Sequence, residues 1–205
     1  MKRAVISAAV VSAVLLAGAC AAPETATHDM LPASPMSTTP AHSSAPATGP
    51  AADHNDRDIW FAQMMIPHHR QALDMAKPAA KRAGREVKEL AERIEAAQGP
   101  EIRTMTGWLE SWGVPAPDED GASIGQMDHA MPGMMSDKDM KQLEGLKGAA
   151  FDRAFLTMMI QHHQGAITMA EEELGAGVYE PARRMAGAII AGQSAEIRTM
   201  RRLLK

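Results

Sequence analysis

The pattern of apolar and polar residues predicts a first helix that starts near Asp58. At about 100° per residue, one arc of this helix collects apolar side chains and two adjacent histidines, whereas Gln63, Arg70 and Asp74 fall outside it. The arc contains Phe61, Met64, Met65, His68, His69, Ala72, Met75 and Ala76. We therefore expect an amphipathic helix with both histidines on its core-facing side.

A second amphipathic pattern follows Gly84, a residue type that favours a break between helices. Its apolar face also carries two polar residues, Gln98 and Glu101. The whole face consists of Val87, Ala91, Ile94, Gln98, Glu101, Ile102, Met105 and Leu109. Together the two patterns predict a helical hairpin.

The same hairpin occurs twice in the chain. Residues 58–76 read DIWFAQMMIPHHRQALDMA, and residues 152–170 read DRAFLTMMIQHHQGAITMA. Downstream, QGPEIRTM at 98–105 returns as QSAEIRTM at 193–200. Because one hairpin cannot cover its own apolar face, we predict a single all-α domain, a four-helix bundle built from two repeated hairpins. The domain spans 53–205, the repeats span 56–113 and 150–205, and a methionine-rich crossover spans 121–140.

Prolines and aspartates mark the expected helix boundaries. Pro78 and Pro100 occur in the first repeat only, and proline removes a helical hydrogen bond, so we expect that repeat to be kinked or interrupted. In the second repeat the break is expected at residues 175–177, which include two glycines. Asp58 and Asp152 are interpreted as N-terminal caps of their own helices.

The N-terminal residues predict export. A basic start, an apolar run at 4–17 and small residues before Cys20 are typical of a signal peptide, here residues 1–20. Cys20 stands where a bacterial lipoprotein carries its lipidated cysteine, so we expect a lipid anchor at the outer face of the cell membrane; plain secretion is the alternative. Residues 21–52, rich in Ala, Pro, Ser and Thr, predict a disordered tether.

Composition narrows the chemistry. A net charge of −4 argues against nucleic acid as a partner. The single cysteine excludes an intramolecular disulfide and any thiolate-cluster metal site. Aromatic residues make up only 3% of the chain, yet there are 17 methionines, which can fill irregular gaps in a core or act as soft metal ligands.

The paired histidines and the methionines form the candidate metal site. In each repeat a methionine precedes each histidine by four residues, so the side chains meet on the helix surface. Thioether and imidazole together suit copper. The candidate ligands are Met64, Met65, His68, His69, Met75, Met158, Met159, His162, His163 and Met169. Gln98, Glu101, Gln193 and Glu196 are expected either to orient the imidazoles or to bind the metal directly. The structural alternative is that His68 bonds Glu101 and His162 bonds Glu196.

The crossover contains a second methionine-rich stretch. We interpret it as a flexible Cu(I) site of low specificity, although part of it can pack over the bundle. Its candidate ligands are Met127, His129, Met131, Met134 and Met135.

The strings MMIPHHRQALDMA, MPGMMSDKDM, GAAFDRAFLTMMIQHHQGAITMA and QSAEIRTM resemble the DUF305 family, including its copper-handling, CopM-like members. The resemblance covers the chain from about Asp56 onward. It implies a ferritin-like four-helix bundle in an exported or lipid-anchored protein, and copper binding outside the cytoplasm for some relatives. Carried over by motif, the expected ligands are the ten residues of the candidate metal site.

Three functions are compatible with these features. The leading one is extracytoplasmic copper sequestration, transfer or resistance, with an unidentified copper-handling protein as partner. The second is a structural or partner-binding lipoprotein without metal. The third is a metal redox enzyme, but no histidine has a glutamate three residues before it, as the di-iron motif of such bundles requires. We therefore expect a protein that is not an enzyme.

Overall fold

The computed structural model describes residues 53–118 and 131–205. The predicted signal peptide, Cys20, the tether, Met127 and His129 lie outside the described residues. Six helical segments are described: α1 (Asp56–Ala76), α2 (Ala79–Arg82), α3 (Arg85–Ser111), α4 (Asp137–Gly145), α5 (Gly148–Ala176) and α6 (Glu180–Leu203). None of the helices within these two ranges is long and apolar enough to cross a membrane.

The four long helices form the predicted bundle. α1 packs on α3 and α5 packs on α6, so each repeat is one hairpin, and α1 also contacts α5 while α3 contacts α6. Both α3 and α5 begin at the end of the core that contains Phe155 and finish at the end that contains Phe61, so these two helices run in the same direction. Two consecutive parallel helices need a connection that returns along the bundle, which is why the crossover is long. The short helix α4 belongs to this crossover, and its Leu143 is buried in the core.

The core consists of two apolar clusters stacked along the bundle. The Phe61 cluster includes Phe61, Met64, Met65, Ile66, Met105, Leu109, Met131, Met169 and Ile189. The Phe155 cluster includes Met75, Leu90, Ile94, Met135, Leu143, Phe151, Phe155, Met159 and Met200. On every long helix, the residues between the two clusters include buried polar side chains.

Both repeat aspartates cap a helix of the opposite repeat, which corrects our expectation for Asp152 and adds a second role to Asp58. Asn55 is the N-cap of α1, and Asp58 contributes only as the third residue of a capping box. The Asp58 carboxylate also accepts hydrogen bonds from the backbone N–H groups of Val178 and Tyr179 at the start of α6. Reciprocally, Asp152 accepts from the Gly84 N–H at the start of α3. Sequence spacing cannot reveal this exchange, because it depends on how the hairpins pack.

The prolines of the first repeat have different effects. Pro78 coincides with the expected interruption, since α1 ends at Ala76 and the chain turns before α3. Pro100, in contrast, lies inside the continuous helix α3, where the expected interruption is absent. Pro100 is exposed, so water can bond the carbonyl that loses its helical partner. Pro67 also lies inside a helix, α1, a position that the sequence analysis did not consider.

Candidate metal centre

Eight polar side chains form one layer across the bundle between the two apolar clusters. Each long helix contributes two of them, and the two repeats contribute equivalent residues. This polar layer consists of His68, His69, Gln98, Glu101, His162, His163, Gln193 and Glu196. All four histidines have zero solvent exposure. The repeated QxxEIRTM and MMIxHH strings therefore meet at one level of the core.

The second histidine of each pair bonds a glutamate of its own hairpin. His69 Nε2 lies 2.8 Å from Glu101 Oε2, and His163 Nε2 lies 2.6 Å from Glu196 Oε2. This corrects the structural alternative, which paired the glutamates with His68 and His162. Nε2 donates to the carboxylate, and Nδ1 of both rings is buried without a hydrogen-bond partner. A carboxylate that fixes the ring in this way is the usual support of a metal-binding histidine.

The first histidines of the two pairs meet at the centre of the bundle. The rings of His68 and His162 have centroids 3.8 Å apart and are tilted by 37°. His68 Nε2 lies 3.1 Å from the Pro132 carbonyl oxygen and therefore donates to it. Neither ring nitrogen of His162 has a hydrogen-bond partner, and the same holds for His68 Nδ1. Buried polar atoms left in this state are uncommon and call for a ligand or water.

Both central imidazoles are held in the neutral form. Burial, followed by the nearby His69, lowers the pKa of His68 to about 3. Burial, followed by the adjacent His68, holds the pKa of His162 well below its ordinary value. A neutral imidazole keeps one nitrogen lone pair, which is what a metal ion requires.

The crossover segment Met131–Met135 lies directly on this pair. Met131 is 7% exposed and packs in the Phe61 cluster, whereas Met135 is 8% exposed and packs in the Phe155 cluster. Gln71 fixes the segment, since its side chain donates to the Met135 carbonyl and accepts from the Met135 N–H. Packing thus accounts for Met131 and Met135, while Met134 is half-buried. This part of the crossover therefore packs over the bundle, as the sequence analysis allowed.

The segment reaches the histidines because α5 has a glycine beneath it. A Cβ atom on Gly165 would clash with the Pro132 carbonyl oxygen. Gly133 adopts a φ of +81°, and its own Cβ would lie 2.7 Å from the Gln161 carbonyl oxygen. Sequence reasoning missed Gln71, Pro132 and Gly165. One signal was available, because Gly165 lies inside a helix at the position where the first repeat has Gln71.

The predicted methionine ligands divide between the two clusters. Met64, Met65 and Met169 lie in the Phe61 cluster, whereas Met75 and Met159 lie in the Phe155 cluster. Met158 is half-buried at the edge of the latter. The four-apart methionines flank the polar layer. Met75 and Met169 follow their histidines by seven residues, about 10 Å along a helix axis, and they pack in the two apolar clusters on either side of the polar layer.

No group of three His, Cys, Asp or Glu side chains is arranged to hold a metal ion within residues 53–118 and 131–205. A metal ion at the central pair therefore needs methionine sulfur, or a movement of the neighbouring rings, to complete its coordination. Sulfur and imidazole together favour copper over zinc or iron.

A second buried polar site, absent from the sequence analysis, lies at the end of the bundle. Glu173 on α5 has zero exposure, and its carboxyl group packs against Gly177. Burial, followed by the adjacent Asp58 carboxylate, raises the pKa of Glu173 to about 8. Burial alone would raise the pKa of Asp58 too, but the adjacent Glu173 carboxyl and the backbone N–H groups of Asn55, Val178 and Tyr179 lower it. Glu173 is thus protonated at neutral pH beside an ionised Asp58.

The fold and the polar layer define a class of helical bundles that bury paired histidines among methionines. The profile of the family described as "Domain of unknown function (DUF305)" matches residues 58–204. The chain therefore belongs to the DUF305 family. Among curated proteins, no significant match is found.

Solved structures of the family share the fold. A DUF305 protein of Streptomyces coelicolor, inferred to be secreted, is 34% identical with a TM-score of 0.66, covering 75% of this chain and 94% of that chain. A DUF305 fragment from Deinococcus radiodurans is 36% identical with a TM-score of 0.65, covering 73% and 96%. CopM in its Cu(I)-bound form is 33% identical with a TM-score of 0.57, covering 71% and 94%. CopM has also been solved in Cu(II)-bound, silver-bound and apo forms.

Proposed function

We propose that this protein binds copper outside the cytoplasm and holds it for sequestration or transfer, without catalytic turnover. The observation that carries the proposal is the central contact between His68 and His162, whose rings are buried, neutral and 3.8 Å apart. Three of their four nitrogens have no hydrogen-bond partner. The copper-bound structures of CopM support the choice of metal.

The donor set suits Cu(I) in particular. His68 and His162 are the residues that would hold the ion, with sulfur from the methionines one turn before them, Met64 and Met158. His69 and His163 would be available as further ligands, since their glutamates fix each ring and leave Nδ1 unpartnered. Because the central rings stay neutral well below pH 7, protons do not compete with the metal there.

The setting of this function is the exterior of the cytoplasmic membrane. Export is supported by the N-terminal sequence and by the inferred secretion of the Streptomyces relative. Lipidation at Cys20 would keep the bundle at the membrane surface on the tether of residues 21–52. Mass spectrometry of the mature N-terminus tests this part, and an unmodified Cys20 thiol would contradict it.

Copper titration of the mature protein under reducing conditions tests the binding itself. We expect the double variant His68→Ala/His162→Ala to lose at least tenfold in Cu(I) affinity. His54→Ala is the matched control, because His54 lies outside the polar layer and stacks on Trp112. Circular dichroism verifies that each variant folds. Equal Cu(I) affinity in the wild type and the folded double variant would exclude the central pair as the site.

The same experiment addresses a structural role without metal. This second candidate is favoured by the two glutamates, which already satisfy one nitrogen each of His69 and His163. It predicts that the purified wild-type protein retains no copper and gains no thermal stability when copper is added. A rise in the unfolding temperature on adding Cu(I) would contradict it.

A further inference from the structure

The polar layer reaches the surface through a small cleft between α3 and α6. The cleft has a volume of about 50 Å³, enough for water molecules. Its walls are formed by the polar residues Gln98, Glu101, Gln193 and Glu196 and by small residues that include Ala188 and Gly192. Small residues keep it open, and its polar residues are the outer half of the polar layer.

Three side-chain atoms of the two buried amides in this cleft lack protein partners. Gln98 is 2% exposed, and both its side-chain nitrogen and its oxygen make no hydrogen bond. Gln193 is 5% exposed, and its side-chain oxygen is likewise unpartnered. Because a buried amide atom without a partner is costly, the two oxygens call for a donor or a cation in the cleft, and the Gln98 nitrogen calls for an acceptor such as water.

Two carboxylates complete the lining. The side chains of Glu101 and Glu196 are 24% and 21% exposed, in contrast with the fully buried histidines to which they bond. Each glutamate uses one oxygen, Oε2, for its histidine. The second oxygen of each remains free to bind a ligand in the cleft. Four side chains thus offer amide and carboxylate oxygens, the donors that hard and borderline divalent cations prefer.

We propose that the α3/α6 cleft is a divalent-cation site, in which the Glu101 and Glu196 carboxylates and the Gln98 and Gln193 amide oxygens receive a partly hydrated ion. Water supplies the remaining ligands, so the site needs no third carboxylate. Its chemistry differs from that of the histidine–methionine centre, which favours Cu(I). For copper, the cleft would therefore take Cu(II) at the point where the polar layer meets solvent.

The link from this cleft to the central pair rests on the proposed function. Each glutamate that would bind the ion already holds an imidazole of the polar layer, His69 or His163. An ion bound to Oε1 of either glutamate would be separated from Nδ1 of His69 or His163 by the carboxylate and one imidazole ring. The cleft thereby offers an entrance for copper on the side of the bundle opposite the crossover segment.

The first test is titration of the folded mature protein with Cu(II) alone, followed by calorimetry and electron paramagnetic resonance. Glu101→Gln/Glu196→Gln keeps an acceptor for each histidine but removes both charges from the cleft. We expect at least a tenfold loss of Cu(II) affinity. Glu89→Gln/Glu180→Gln is the control, because it removes the same charge from exposed glutamates of the same two helices. An equal loss in both variants, or no loss in the first, would overturn the proposal.

A second variant tests the cleft without changing its charge. A Cβ on Gly192 would meet no atom within 4 Å, so Gly192→Leu places a side chain in the cleft without a backbone clash. Gly187, on the same helix, has equally open space and does not line the cleft, which makes Gly187→Leu the control. We expect only Gly192→Leu to weaken Cu(II) binding, and unchanged binding there would contradict the site.

Cu(I) titration of the same proteins separates this inference from the proposed function. Cu(I) binding retained in Gly192→Leu, with Cu(II) binding lost, supports both. A wild-type protein that binds Cu(II) through the cleft but no Cu(I) supports the cleft and overturns the proposed function. Cu(I) binding without any Cu(II) binding overturns the cleft alone.

Discussion

The two hairpins are nearly identical at the second histidine of each pair, His69 and His163, and differ at the central histidines, His68 and His162. His69 with Glu101 and His163 with Glu196 form equivalent pairs at 2.8 and 2.6 Å. At the centre, in contrast, His68 donates to the Pro132 carbonyl, whereas His162 has no hydrogen-bond partner. The difference arises from the crossover, which can lie on only one side of a two-fold arrangement.

The residues beneath the crossover show how the repeats adapted to it. Gln71 and Gly165 occupy equivalent positions of the repeat. Gln71 holds the segment by two hydrogen bonds to Met135, and Gly165 provides the space that the Pro132 carbonyl occupies. A duplicated sequence therefore produces two unequal histidines, because a single connection packs against both copies.

The ends of the hairpins differ for a related reason. Pro78 ends the first helix of one repeat, whereas α5 continues through the equivalent position, Glu172, to Ala176. This additional length brings Glu173 beside Asp58. Asp152, the counterpart of Asp58, caps Gly84 from a half-buried position.

The largest expected loss of stability comes from removing the Asp58 cap, and it should exceed the loss from removing the equivalent Asp152 cap. Asp58→Ala removes the acceptor for three backbone N–H groups at a fully buried site and should lower the free energy of unfolding by about 3 kcal/mol. Asp152→Ala removes a half-buried cap and should cost about 1 kcal/mol. Urea denaturation measures both, and equal losses would show that the two caps are equivalent.

A smaller effect is expected beneath the crossover. Gly165→Ala places a Cβ against the Pro132 carbonyl and should destabilise the fold by about 2 kcal/mol. The matched control is Gly187→Ala, whose Cβ has open space and which should be neutral or stabilise α6 by up to about 1 kcal/mol. If both variants unfold at the same urea concentration as the wild type, Gly165 is not required for the contact.

The Glu173–Asp58 pair should make stability depend on pH. The pKa of Glu173 is about 8 in the fold against an ordinary 4.5, so the stability that depends on its proton declines as the pH rises from 4.5 and is lost by about pH 8. Asp58, His68 and His162 have lowered pKa values, so their protonation lowers the stability of the fold only at acid pH. We expect the unfolding free energy of the wild type to fall between pH 6.5 and 8, and Glu173→Gln to abolish that part of the slope. An unchanged slope in the variant would contradict the assignment.

The smallest effect is expected at Gln71. Replacement by alanine removes the two hydrogen bonds to Met135 and should cost about 1 kcal/mol. Gln63→Ala serves as the control. Gln63 lies on the same helix as Gln71, but its side chain makes only one exposed hydrogen bond, to the Pro115 carbonyl. Hydrogen exchange at the Met135 amide reports whether the segment loosens, and unchanged protection would show that packing alone holds it.

Much of this architecture was predictable because helical periodicity and duplication are local signals. The helical hairpins, the break at residues 175–177 and the inward-facing histidines follow from spacing alone, and the structure agrees. The assignment of Asp58 and Asp152 to their own helices was right in part for Asp58, which completes the capping box of its own helix as well as capping α6, and wrong for Asp152, which caps only α3. A carboxylate near a helix start can equally cap a neighbouring helix. The glutamate partners were assigned to the wrong histidine for a similar reason, since His68 and His69 are both on the inner arc.

The sequence by itself determined two repeated hairpins, their apolar faces and the presence of imidazole, thioether and carboxylate groups on those faces. Only the tertiary structure decided which of these groups meet. The 3.6-residue period fixes the face of a helix on which a side chain lies, but not its partner on another helix. That partner is set by the packing of α1 on α5 and by the path of the crossover, which brings His68 onto His162 and leaves His162 without a hydrogen bond.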